Sequence, residues 1–130
     1  MKELEVRALN GAPAEDGKVE LRDVHFDLNE LTILAGLYNR NYDKKVIFTD
    51  VCGFRALDEG DLSFWWQHLN LSNGWCFQVV KGGWQDFERE RKDFLSGQTD
   101  LYREYLVIGV DLCVSVLAQT EPEFHETTSS

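Results

Sequence analysis

Apolar and polar residues alternate at several places along this 130-residue chain, and the alternation sets most of the elements expected of it. Leu4, Val6 and Ala8 alternate with charged neighbours, the pattern of a short strand. Residues 10–17 are turn-forming by composition, so a hairpin is expected to join that strand to the next. In the next, Val19 and Leu21 alternate before Val24 and Phe26 resume one step out of phase, which predicts a bulge near Arg22 and Asp23. Residues 28–38 fit a helix through Leu28, Leu31, Ala35 and Tyr38, or a strand through Leu31, Ile33, Ala35 and Leu37. The strand is preferred, because turn material at 39–43 and one β-branched, aromatic strand over 45–54 follow it.

Two helices are expected further on. Leu62, Trp65, Trp66 and Leu69 mark one apolar face over residues 58–70, with Asp58 as N-cap and Glu59 and Asp61 in the first turn. Asn73 and Gly74 stop it, and Trp75 to Lys81 alternates as a strand. After Gly82 and Gly83, the residues Trp84, Phe87, Phe94 and Leu95 mark a second helix that ends at Gly97. Residues 102–118 are strongly β-forming, interrupted by a bulge or tight hairpin at 109–111, and beyond Gln119 there is little to bury. The expected fold is α+β: a single domain over residues 1–118, mainly an antiparallel sheet of about six strands with two amphipathic helices, and a flexible tail over 119–130.

Composition narrows the class. With 43% hydrophobic and 12% aromatic residues, a core is attainable without disulfide or metal staples. Thirteen Lys and Arg against 23 Asp and Glu give a formal charge of −10, a field that repels phosphate backbones, so nucleic acid is not an expected partner. The acidity either serves only to keep the chain soluble or, on the sharper reading, steers a basic protein partner toward it. Cys52, Cys76 and Cys113 are an odd set, too widely spaced for a disulfide framework or paired zinc ligands, and are expected as buried, reduced thiols. No signal-like start and no apolar run of the ~18 residues a membrane span needs is visible, so a cytoplasmic protein is expected.

Candidate chemistry is sparse. The carboxylates of Asp58, Glu59 and Asp61, with His68 two helical turns on, are explained by capping and by the helix dipole. His25, His68 and His125 lack the spacing of a local zinc motif, and no nucleophile elbow, phosphate loop or dinucleotide fingerprint is present. No catalytic residue, metal or cofactor is expected. The mixed cluster at residues 88–93 reads as a solvated helix face. Adjacent helical residues diverge by about 100°, so Trp65 is expected in the core while Trp66 is left for a partner. The expected partner-binding residues are therefore Asp58, Glu59, Asp61 and Trp66.

Two stretches, residues 54–62 (Phe54-Arg55-Ala56-Leu57-Asp58-Glu59-Gly60-Asp61-Leu62) and 105–117 (from Tyr105-Leu106-Val107-Ile108 to Val114-Ser115-Val116-Leu117), resemble segments of small bacterial immunity proteins of polymorphic-toxin and contact-dependent inhibition systems. The resemblance implies a cytoplasmic protein that blocks one toxin by binding it, often through an acidic face. It carries no specific functional residue across. The expectation is a non-catalytic acidic binding protein for a basic partner, with a small-molecule-binding or regulatory domain around an aromatic pocket as the alternative.

Overall fold

In the computed structural model, which describes residues 5–58, 74–81, 102–110 and 112–128, the described residues are mainly β-strand. The strands are β1 (Glu5–Ala8), β2 (Val19–Asp27), β3 (Glu30–Leu37), β4 (Tyr42–Phe48), β5 (Val51–Asp58), β6 (Cys76–Lys81), β7 (Arg103–Ile108), β8 (Leu112–Ala118) and β9 (Glu123–Thr128). They form two antiparallel sheets, one of order β1-β6-β7-β8-β5 and one of order β2-β3-β4-β9. Both sheets contribute to one buried cluster, with Leu31, Ile33, Val46 and Phe48 from the smaller and Tyr105, Val107, Val114 and Val116 from the larger. Phe48 and Tyr105 meet across it with ring centroids 5.5 Å apart. The architecture is a β-sandwich.

This corrects the expected α+β class. Among the described residues the one helical element is a 3-10 turn at Ala14–Asp16, and there are nine strands in two sheets where about six in one layer were expected. The two expected helices fall on residues 58–70 and 84–97, which lie outside the described residues except for Asp58, the last residue of β5.

Two of three further corrections share a cause: a strand pattern shows which residues face inward but not which sheet they join. The expected β1–β2 hairpin does not form, because β1 pairs with β6 while β2 pairs with β3. The connecting segment crosses between the sheets, burying Leu9, Ala12 and Asp16 on its way. The run expected as one strand over 45–54 is broken at Asp50, whose φ of 51° turns the chain from β4 in one sheet to β5 in the other. Residues 119–130, expected as a loose tail, contain β9, which pairs with β4 and packs Phe124 edge-on against Trp75. That strand escapes notice because Glu123 and His125 face water along it.

Other expectations hold. The register of β2 shifts between Leu21 and Asp23, residues 28–38 supply strand β3, and the interruption expected after Ile108 separates β7 from β8, where the Gly109 N–H bonds the Leu112 carbonyl at 2.8 Å. β7 and β8 are buried on both faces. Phe77, Val79, Leu106, Ile108 and Cys113 form a second buried cluster on the side of the larger sheet away from the sandwich core. The cysteines are all free, but only Cys76 and Cys113 are buried; Cys52 is exposed at the start of edge strand β5, a correction to its expected burial.

Candidate functional site

Two polar constellations stand out, one inside the sandwich and one at its end. The inner one is built on Asp16, whose carboxylate is completely buried. Its Oδ2 accepts from Lys44 Nζ at 2.9 Å and from the Trp75 indole N–H at 3.0 Å, and its Oδ1 accepts from Arg40 Nε at 3.2 Å. Lys44 points inward from β4 and donates also to the Gly11 carbonyl at 2.9 Å. Burial by itself raises the Asp16 carboxyl, but the bonds from Lys44, Trp75 and Arg40, with the Lys44 charge, hold it below its ordinary value. Asp16 therefore stays an anion whose lone pairs are occupied, the opposite of what a proton-transferring carboxylate needs. The arrangement ties the inter-sheet segment to β4 of one sheet and to the residue preceding β6 of the other.

The outer constellation is the β2–β3 hairpin tip. Asp27 pairs with Glu30, so Leu28 and Asn29 form a two-residue turn. Leu28 has φ 56° while Asn29 does not, the pattern of a turn that favours glycine at its first central position. Leu28 is also 85% exposed, which makes it the most exposed large apolar side chain among the described residues. Phe26 beside it is partly exposed and rests on Phe54 with centroids 5.3 Å apart. Asn29 accepts a backbone bond from Val51 at 3.1 Å, which brings Asp50 to the tip as well. Asp27, Glu30 and Asp50 are all exposed, so an apolar point stands in an acidic collar.

Of the sequence-derived contact residues, Asp58 ends β5 with its backbone opposite Leu112, whereas Glu59, Asp61 and Trp66 lie outside the described residues, as do Trp65, His68 and Trp84. Trp75 is buried and committed to Asp16. His25 and His125 are both on the outer face of the four-stranded sheet, on its two opposite edge strands, and His125 contacts Glu123 at 3.4 Å. Among the described residues no group of three or more His, Cys, Asp or Glu is placed to hold a metal ion. Nor is any helix among them long and apolar enough to cross a membrane.

Sequence reasoning missed Leu28 because it counted as one apolar position in a strand or helix pattern; its signal was the pair Leu28-Asn29 between Asp27 and Glu30, a turn with the wrong residue in it. It missed Asp16 because an acid before Gly17 reads as turn chemistry. Comparison with protein-family models, with curated proteins and with solved structures finds no match.

Proposed function

We propose that this chain is a non-catalytic binding protein that engages a basic protein partner, in the manner of an immunity protein that neutralises a bacterial toxin in the cytoplasm. The observation that carries this reading is the uncompensated acidity of the chain, −10 overall, together with Asp27, Glu30 and Asp50 around the exposed Leu28. Charge complementarity speeds encounter, and an apolar anchor entering a desolvated pocket supplies most of the affinity once contact is made. Leu28 is the anchor and the acids are the guide.

The test takes the product of the adjacent gene as partner and measures association rates from low to high salt. At physiological ionic strength the Debye length is about 8 Å, so on-rates steered by this collar fall steeply as salt rises. Reversing Asp27 and Glu30 to Lys lowers the on-rate while leaving the off-rate nearly unchanged. Flat salt kinetics, or an on-rate indifferent to the reversal, would remove the steering argument.

A further inference from the structure

Across the larger sheet from the hairpin, the inner face emerges from under its partner sheet. Along β6 the inward-facing positions pass from Cys76, fully buried, through the half-buried Gln78 to Val80 at 59% exposure. Arg7, Gln78 and Tyr105 occupy one cross-strand row of β1, β6 and β7, and Arg103 stands two residues before Tyr105 on the same face. This ledge gathers cationic groups on a strongly acidic protein.

Three details give it chemistry. The Tyr105 hydroxyl is buried without a hydrogen bond of good geometry; Arg103 approaches its oxygen as a donor, the charges of Arg103, Glu121 and Arg7 all act on it, and its own proton has no acceptor. Burial pushes the phenol up from its ordinary value despite Arg103, so it remains a protonated donor. Arg7 is neutralised by Glu121 and also donates to Gln78 Oε1, which leaves the Gln78 amide nitrogen as a donor. Arg103, exposed, has no ion-pair partner among the described residues.

We propose that this ledge captures the C-terminal carboxylate of a peptide chain, with Arg103 as its charge partner, Tyr105 and Gln78 as neutral donors, and Val80 under the last side chain. A guanidinium matches a carboxylate's two oxygens with two parallel N–H bonds, so one negative charge suffices. Phosphate is disfavoured because Glu121 already stands beside the site. A small free acid is disfavoured because an open ledge cannot enclose it as a pocket would, whereas a chain terminus adds contact along Val80. The exposed arginine side chains swing aside to admit the carboxylate to the hydroxyl. This inference does not rest on the reading of the acidic hairpin.

The experiment titrates the full chain with three probes: a hexapeptide ending in a free valine carboxylate, the same peptide amidated, and sodium acetate. Binding is read from peptide fluorescence anisotropy and from the arginine Nε–H resonances. The free-acid peptide saturates the site, amidation weakens it at least tenfold, Arg103→Gln does the same, and Tyr105→Phe weakens it several-fold. Since the buried hydroxyl proton has no internal acceptor and Arg103, being exposed, can turn to water, Tyr105→Phe leaves the melting temperature unchanged or raised. Equal binding of the amidated peptide, indifference to Arg103→Gln, acetate as effective as the peptide, or loss of stability in Tyr105→Phe would each overturn the proposal.

Discussion

Leu28 sits where backbone geometry asks for glycine. A left-handed residue with a Cβ is strained by about 1–2 kcal/mol, and part of that is recovered when the side chain is removed, offset by the greater freedom glycine gives the unfolded chain. Leu28→Gly is therefore expected to raise stability by about 0.5 kcal/mol in denaturant melts. At 85% exposure the leucine has no packing to lose, so folding cannot be the reason it is there. The same variant weakens partner binding by at least tenfold, an opposition of signs that marks a residue kept for contact. Asp16 behaves in the opposite way. Its removal in Asp16→Ala leaves Lys44, only 10% exposed, and the Trp75 N–H without their acceptor, at a cost of about 3–5 kcal/mol. Because the folded carboxyl lies below its unfolded value, its contribution is fully present above the ordinary carboxylate range and is lost as pH falls through and below it. Melts of wild type and Asp16→Asn from neutral to acid pH check this, with the variant weaker at neutral pH and less sensitive to acid. Parallel acid limbs would show that other carboxylates govern acid unfolding.

At the scale of elements, two glycines show how close approach and conformation differ in cost. A Cβ on Gly74 would lie 2.3 Å from the Ala12 backbone oxygen, at a φ of +135° that no L side chain tolerates well. That contact belongs to the joint where Trp75 N–H bonds the same oxygen at 3.2 Å, holding the inter-sheet segment against the start of β6. Gly36 on β3 is also crowded, but by the Arg22 guanidinium, the far end of a flexible side chain that bridges to Asp43 at 3.1 Å. Gly74→Ala is expected to cost about 2–3 kcal/mol and Gly36→Ala less, about 1, since Arg22 is 43% exposed and can shift its guanidinium, although the Asp43 carboxylate it would leave is only 10% exposed. Equal costs in chemical denaturation would mean that the Ala12 contact relaxes. The same elements show what was legible in the sequence. The β2 bulge was readable because one out-of-phase step leaves a mark in the pattern: Val24 and Phe26 resume inward after Leu21. β3 was readable once its neighbours were. Sheet membership was not, because Phe48 and Val51 are both buried and nothing in a β-branched run says that the chain changes sheet between them. The overall acidity was legible from the charge count, while the exposed position of Leu28 depended on a turn that its apolar periodicity disguised.

Taken as a whole molecule, the larger sheet is a wall between two apolar clusters, and its cysteines sit on opposite sides of it. Cys76 belongs to the core between the sheets, Cys113 to the cluster on the far face, and Cys52 to the exposed edge. Burial raises the thiols of Cys76 and Cys113, the latter to about 12, so in the native state neither offers thiolate to a reagent at neutral pH. Only Cys52 is expected to react quickly with a disulfide reagent. Cys76 requires the two sheets to part, which exposes most of the core and so requires global unfolding; for a stability of roughly 5 kcal/mol this slows its reaction at least a thousandfold relative to Cys52. Cys113 requires only that its own face be uncovered. If the molecule unfolds as one cooperative unit, both buried thiols are modified at the same rate, and both accelerate alike in low denaturant. We expect this common rate, because β7 and β8 contribute buried residues to both clusters: Val107 and Val114 on one side, Leu106, Ile108 and Cys113 on the other. Neither face of such strands is released without disturbing the other. Mass spectrometry of peptides from timed labelling gives the two rates separately. A Cys113 rate well above that of Cys76, and insensitive to denaturant, would show that the outer face opens by itself while the sandwich stays closed.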